Sequence, residues 1–225
     1  MPTATLLAWS GGKDAAWALH VLRQGGRHDV VGLLSTVTRD HGRSLMQGVR
    51  REVLQAQADA GGLPMLESLI DAGADNRAYE EAFAATLAQA RSRWPDIRHI
   101  AFGDLLLADI RDWRAALCAR LGWQALFPLF GEDTARLARR MVEGGLQAWL
   151  CCIDTTLLDA RHAGQPFDTA LLDALPASVD PCGENGELHT CVGAGPMFRE
   201  SLALRQGQTA LRDGRFAYTD FCLAG

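Results

Sequence analysis

The run Ser10-Gly11-Gly12-Lys13-Asp14 stands between a short apolar stretch and a stretch of helical period. Such a turn feeds the chain into a helix N-terminus, where unpaired N–H groups and the positive end of the helix dipole attract anions. Two glycines let the main chain approach phosphate oxygens with no Cβ in the way. Ser10 adds a hydroxyl donor and Lys13 a compact positive charge beside the phosphates. A second polar concentration lies far downstream, in Gly183-Glu184-Asn185-Gly186-Glu187-Leu188-His189-Thr190. Two carboxylates, an amide and an imidazole so close together suit recognition of a polar substrate or the handling of protons. Glu184, Glu187 and His189 are its candidate catalytic groups, and Lys13 of the first run is the fourth. Turn chemistry around one buried carboxylate is the competing reading.

These groups need elements to hold them. Hydrophobic spacing predicts strands over Thr5–Trp9, Val30–Val37, Pro64–Ile70, Ile97–Phe102 and Gln124–Phe127. Between and after them it predicts helices over Asp14–Gln24, Val49–Ala60, Asp75–Arg93, Leu105–Leu121 and Thr134–Val142. The apolar run Leu146–Ile153 closes the series as a further strand. Strict alternation of this kind implies βαβ units, right-handed crossovers and a parallel sheet covered on both faces. Gly25-Gly26, Gly61-Gly62 and Gly144-Gly145 follow helices and read as left-handed C-caps. Beyond about Asp154 the texture turns to Pro, Gly and short strands. The expected fold is α/β: an open, mostly parallel sheet of about five strands with helices on both faces, plus a small C-terminal α+β unit. The boundaries drawn are 1–157 for the nucleotide-binding domain and 158–225 for a substrate-side unit.

Position narrows the chemistry. A Walker A loop needs glycine where Leu7 stands and Ser or Thr where Asp14 stands, and adjacent Gly11-Gly12 break a GxGxxG pattern. Gly103-Asp104 follows the fourth strand, at the edge where open α/β sheets bind ligands. Asp104 is either a ligand contact or a helix N-cap. Ser35 and Thr36, near the end of the second strand, either border an adenine pocket or serve the core.

Composition sets outer limits. The 225 residues carry a net charge of −5, against a general basic surface for nucleic acid. No apolar run approaches the ~18 residues of a membrane span and no export signal is legible, so a cytoplasmic protein is expected. Six cysteines without a CxxC read as thiols. Cys182, His189 and Cys191 offer three ligands at a spacing that matches no zinc finger. Cys151-Cys152, on a strand, read as buried small hydrophobes. Of the 22 Lys+Arg residues only Lys13 is lysine, the bias of a GC-rich genome with one position exempt. Oligomeric state is open, with a homodimer the commonest outcome for soluble enzymes.

Ser-Gly-Gly-Lys-Asp resembles the SGGxDS pyrophosphate (PP) loop of the N-type ATP pyrophosphatases, in the adenine nucleotide alpha hydrolase-like superfamily. Three further segments resemble the diphthine–ammonia ligase-like family: Met46-Gln47-Gly48-Val49-Arg50 with Gln55-Ala56; Phe102-Gly103-Asp104-Leu105 with Arg111 and Phe127-Pro128-Leu129-Phe130; and the 183–190 run with Gly195-Pro196-Met197-Phe198. The resemblance implies an ATP- and Mg²⁺-dependent ligase that adenylates a carboxylate, releases pyrophosphate and lets ammonia displace AMP. In that family the carboxylate is diphthine, a modified histidine of translation elongation factor 2. The acceptor here is then a modified protein side chain or, in a bacterial setting, a small carboxylate. Residues 10–14 would hold the phosphates, with Asp14 contacting Mg²⁺ directly or through water, and the 183–190 segment would face the acceptor. Departures are Gln47 for histidine, Phe130 for tryptophan, Leu188 for an aromatic and Ala15 for the serine of the loop. The last removes a hydroxyl donor worth about 1–3 kcal/mol. The alternatives are a tRNA-modifying or sulfur-transferring PP-loop enzyme, and an adenine-nucleotide-binding protein without turnover.

Overall fold

The computed structural model describes residues 1–224, built on two sheets. The first part of the chain runs β1 (Thr3–Ala8), α1 (Lys13–Gly25), β2 (His28–Thr38), β3 (Arg43–Ser44), α2 (Arg51–Gly61), β4 (Met65–Ile70), α3 (Asn76–Arg93), β5 (His99–Ala101), α4 (Ala108–Arg120), β6 (Gln124–Leu126) and α5 (Thr134–Glu143). Strands β4, β2, β1, β5 and β6 lie side by side in that order, all parallel. Only the two-residue β3 runs against β2. Crossovers leave β1 in both directions, so the carboxyl ends of β1, β2 and β5 meet at one edge. That edge is where an open α/β sheet offers a crevice.

Period-two alternation explains why helices cover both faces. Leu6 and Leu7 are neighbours on β1 and both fully buried, but they enter different cores. Leu6 packs with Phe83, Leu87 and Leu117 beneath α3 and α4. Leu7 packs with Ala16, Leu19 and Leu54 beneath α1 and α2. Leu33 and Leu34 on β2 divide in the same way. Gly26, Gly62 and Gly145 hold left-handed φ values of 64°, 66° and 86° after α1, α2 and α5. In each Gly-Gly pair it is the second glycine that supplies the turn.

The second sheet contains β7 (Gln147–Asp154), β8 (Leu188–Ala194), β9 (Leu204–Arg212) and β10 (Phe216–Leu223), antiparallel in the order β8-β7-β10-β9. A 3₁₀ turn (Ala160–His162) and α6 (Thr169–Ala174) lie between β7 and β8. The run 146–153 therefore does not close the parallel series. An apolar strand buried on both faces looks alike in either kind of sheet, and the partners of β7 come from residues 188–218.

The sheets share one core: Leu7 and Leu19 belong to the same cluster as Leu150, Ile153, Cys191 and Val192. A polar clamp joins them as well. Asp220 on β10 accepts from Arg43 at 2.9 Å and from Arg50 at 2.6 Å, fixing the turn after β3 to the second sheet. These guanidinium groups hold the Asp220 carboxyl down at about 2, chiefly through the Arg50 hydrogen bonds.

Candidate active site

The loop after β1 begins where the Trp9 N–H bonds the Leu34 carbonyl of β2 at 2.7 Å. Gly11 then takes φ +82°, and Gly12 caps α1 with no side-chain hydrogen bond of its own. The first intrahelical bond joins the Ala16 N–H to the Gly12 carbonyl at 3.1 Å. Upstream N–H groups must find other acceptors or a ligand. The Lys13 N–H goes to Thr190 Oγ1 at 3.0 Å, so the cap of α1 comes from β8. The Gly12 N–H has only Ser10 Oγ, at 3.3 Å.

Lys13 is 1% exposed. Its ammonium donates to Asp14 Oδ2 at 2.9 Å and to the Cys182 carbonyl, and lies 5.7 Å from the Phe167 ring centre. Burial alone would lower its pKa, but Asp14 and the other negative groups around it outweigh that and raise it, so the buried lysine stays charged. Burial raises the Asp14 carboxyl, with Lys13 opposing. Asp14 Oδ1 is buried without a hydrogen-bond partner. Among the described residues no group of three or more His, Cys, Asp or Glu is arranged to hold a metal unaided. One free carboxylate oxygen beside this glycine loop has the chemistry of a Mg²⁺ ligand, since Mg²⁺ takes one or two carboxylates together with phosphate oxygens and water.

Gly103 and Asp104 meet this loop directly. A Cβ on Gly103 would stand 2.9 Å from both Ala15 N and the Asp14 carbonyl carbon, so only glycine allows the β5 loop to lie against α1. The side chain of Asp104 pairs with Arg114 Nε at 2.9 Å, at an angle outside hydrogen-bond geometry. The cap position of α4 belongs to Leu107, so Asp104 is not a helix cap. Its carboxyl is raised, by burial first. Glu184 reaches the same region: its Oε2 accepts the Leu106 N–H at 2.9 Å. Burial raises the Glu184 carboxyl, and Asp14 and Asp104 raise it further. Asp14, Asp104 and Glu184, from three separated segments, thus share one neighbourhood.

The remaining expected residues occupy different surroundings. Glu187 is 2% exposed and binds its own turn, accepting the Asp180 N–H at 3.0 Å, the Asn185 N–H at 2.9 Å and Asn185 Nδ2 at 2.9 Å. Burial works to raise its pKa, but these donors prevail and lower it. His189 lies on β8 opposite Cys152. Burial, then the charge of Lys13, pulls its imidazole down to about 4, so it is neutral near pH 7. Ser35 follows the Leu34–Trp9 bond at the root of the loop and is fully buried, its hydroxyl without a partner. The Thr36 carbonyl accepts the Leu45 N–H at 3.1 Å.

Sequence reasoning missed the residue that braces the loop. Gln57 is fully buried and bonds Trp9, Gly11 and Val192. Gln55, quoted above in the family motif, is exposed and bonds Asp59. A signal for Gln57 was present: it falls three and four positions after Leu54 and Val53, on the apolar stripe of α2. A groove of about 650 Å³ lined by Arg51, Gln55, Glu67 and Gln89 lies on the outer edge of β4, away from these groups.

Comparison with known proteins matches the chain in two parts. Residues 1–125 match the family model described as Diphthamide synthase N-terminal domain, and residues 133–218 match Diphthamide synthase C-terminal domain. The diphthine–ammonia ligase of Schizosaccharomyces pombe is 27% identical over 214 residues, covering 87% of this chain and 35% of the relative. The chain thus spans about a third of the length of that curated relative. With both halves matched in order across both sheets, the chain belongs to the diphthamide synthase family.

Proposed function

We propose that the protein is an ATP-dependent, AMP-forming ligase that converts a carboxylate to its amide with ammonia. The observation that carries this reading is the convergence of two segments: Thr190 caps the phosphate-type loop through Lys13, while Glu184 reaches the loop after β5. A nucleoside triphosphate would lay its β- and γ-phosphates against the main chain and hydroxyl of Ser10–Gly12. The buried charge of Lys13 would stabilise the negative charge that develops on pyrophosphate. Asp14 would hold Mg²⁺, which neutralises phosphate charge when bound. Ser35 and Thr36 would border the base, and Gly103-Asp104 would form the opposite wall.

In the first step a carboxylate oxygen of the acceptor attacks the α-phosphorus, and the bond to the β-phosphate bridging oxygen breaks. In the second, ammonia attacks the acyl carbon, the bond to AMP breaks, and the amide forms with loss of a proton. Glu184, at the edge of the carboxylate cluster, is the base we assign to that proton. Glu187 shapes the turn that presents Glu184, and neutral His189 lies behind it. The name of the yeast relative favours a protein-borne diphthine as acceptor; a small carboxylate remains the rival. The test supplies the chain with ATP, Mg²⁺, ammonium and each acceptor in turn. AMP and pyrophosphate in equal amounts with amide product are expected; no acceptor-dependent AMP would overturn the reading.

A nucleotide-binding protein without turnover is the second reading, favoured by buried Ala15 where the loop pattern has serine. The sulfur-transfer alternative needs a thiolate, and burial pushes the buried thiols away from that form. Burial holds Cys152 at about 11 and Cys182 and Cys191 at about 12.

A further inference from the structure

We propose that Gln57 is a positioning residue that aims the Gly12 N–H at the β,γ-phosphate site; the inference rests on the nucleotide reading above. Gln57 Nε2 donates to the Gly11 carbonyl at 3.1 Å and to the Val192 carbonyl at 2.7 Å. Its Oε1 accepts from Trp9 Nε1 at 3.0 Å. Two carbonyls on one side and an N–H on the other leave one orientation for the amide, since the flipped amide would face acceptor with acceptor. The Gly11 carbonyl also accepts the Val192 N–H at 3.0 Å, so both its lone pairs are engaged.

Peptide planarity converts that anchoring into direction. No peptide bond in the described chain is cis, and in a trans peptide the carbonyl and the next N–H point to opposite sides. Fixing the Gly11 carbonyl toward α2 and β8 therefore turns the Gly12 N–H the other way, where its one partner is the long bond to Ser10 Oγ. Gly11 at φ +82° allows this turn, and a Cβ there would stand 2.8 Å from Leu54 Cδ2 and 3.0 Å from Gln57 Oε1. The outcome is a preset donor at the entrance to α1, whose direction depends on a glutamine buried beneath the loop.

The experiment measures binding of Mg²⁺-pyrophosphate and of AMP, separately, to the full chain and to Gln57→Met and Gln57→Glu, by titration calorimetry. Gln57→Glu keeps the acceptor for Trp9 and loses both donors. Both variants are expected to weaken pyrophosphate at least tenfold and to change AMP affinity less than twofold. A merely structural role would reduce the two ligands alike. Amide hydrogen exchange in the unmodified chain gives a measurement that does not depend on how the variants fold. Gly12 exchange should slow at least tenfold with pyrophosphate and not with AMP. Equal pyrophosphate affinity in well-folded variants, parallel loss of both ligands, or unslowed Gly12 exchange in a pyrophosphate-bound chain would overturn the role of Gln57. Failure of the unmodified chain to bind pyrophosphate would overturn the nucleotide reading and this inference with it.

Discussion

The Thr190 hydroxyl accepts the main-chain N–H of Lys13 at 3.0 Å across 177 positions of sequence. Helices usually take such a cap from the residue just before them, but α1 starts at glycine and has none. Thr190→Val keeps the shape and leaves a buried N–H unpaired, which costs about 1–3 kcal/mol. Chemical denaturation should show that loss, together with weaker ATP binding, whereas Thr190→Ser should remain near the parent. Valine as stable as threonine would mean the cap contributes nothing.

Gly103→Ala tests the close approach of the β5 loop to α1. Its Cβ would meet main-chain atoms at 2.9 Å, which cannot swing aside as a side-chain tip can. Displacement of the first turn should reduce ATP affinity tenfold or more, with about 1–3 kcal/mol lost in unfolding stability. Unchanged nucleotide titration would remove Gly103 from the site.

Acid should weaken the fold in two stages. His189 titrates at about 4 in the folded chain and near 6.5 when unfolded. Between those values the unfolded chain binds the extra proton, so stability falls as pH drops, by about 3 kcal/mol in total. Below about pH 4, Asp220 and Glu187, both depressed in the folded state, extend the loss. Denaturant midpoints measured from pH 7 to pH 4 should follow this slope, lessened by Asp14, Asp104 and Glu184, whose raised carboxyls take up protons in the folded chain, and His189→Asn should flatten it. A variant with the parent's full slope would assign the effect to other groups.

Asp220→Asn removes the charge held by Arg43 and Arg50. These side chains are 26–39% exposed, so solvent screening limits the cost to about 1 kcal/mol. The turn at residues 44–50 should also loosen, seen as faster amide exchange at Gly48, with ATP binding changed less than threefold. Protection retained at Gly48 would show the turn to be held by packing on Tyr218 instead.

The first sheet was legible because its signals are local. Leu6-Leu7 alternation, glycine C-caps and the strand–loop–helix turn at residues 9–14 all lie within a few residues of what they specify. The destination of β7 was not, since Leu146–Ile153 carries no mark of parallel or antiparallel partners. Site residues divide along the same line. Gly103 beside the loop follows from topology, whereas the contacts of Glu184 with Leu106 and of Lys13 with Cys182 depend on how distant segments dock. Glu187 shows the limit of composition: its carboxylate belongs to a dense polar cluster, yet it is saturated by N–H groups of its own turn. Gln57 was overlooked because glutamine on a helix is ordinarily taken for a solvent-facing residue.

The cap from β8 also sets an order of events during synthesis. The Gly11 carbonyl waits for Val192 and the Lys13 N–H for Thr190, so the loop is completed by a strand made about 180 residues after it. At about 5–20 residues per second, that interval is on the order of ten seconds. During it, the nascent parallel sheet can assemble with the loop open and Lys13 still lacking the Cys182 carbonyl and the Phe167 ring that surround it later. On the nucleotide reading, affinity would then arise only once the strand bearing Thr190 and Val192 has docked on the loop.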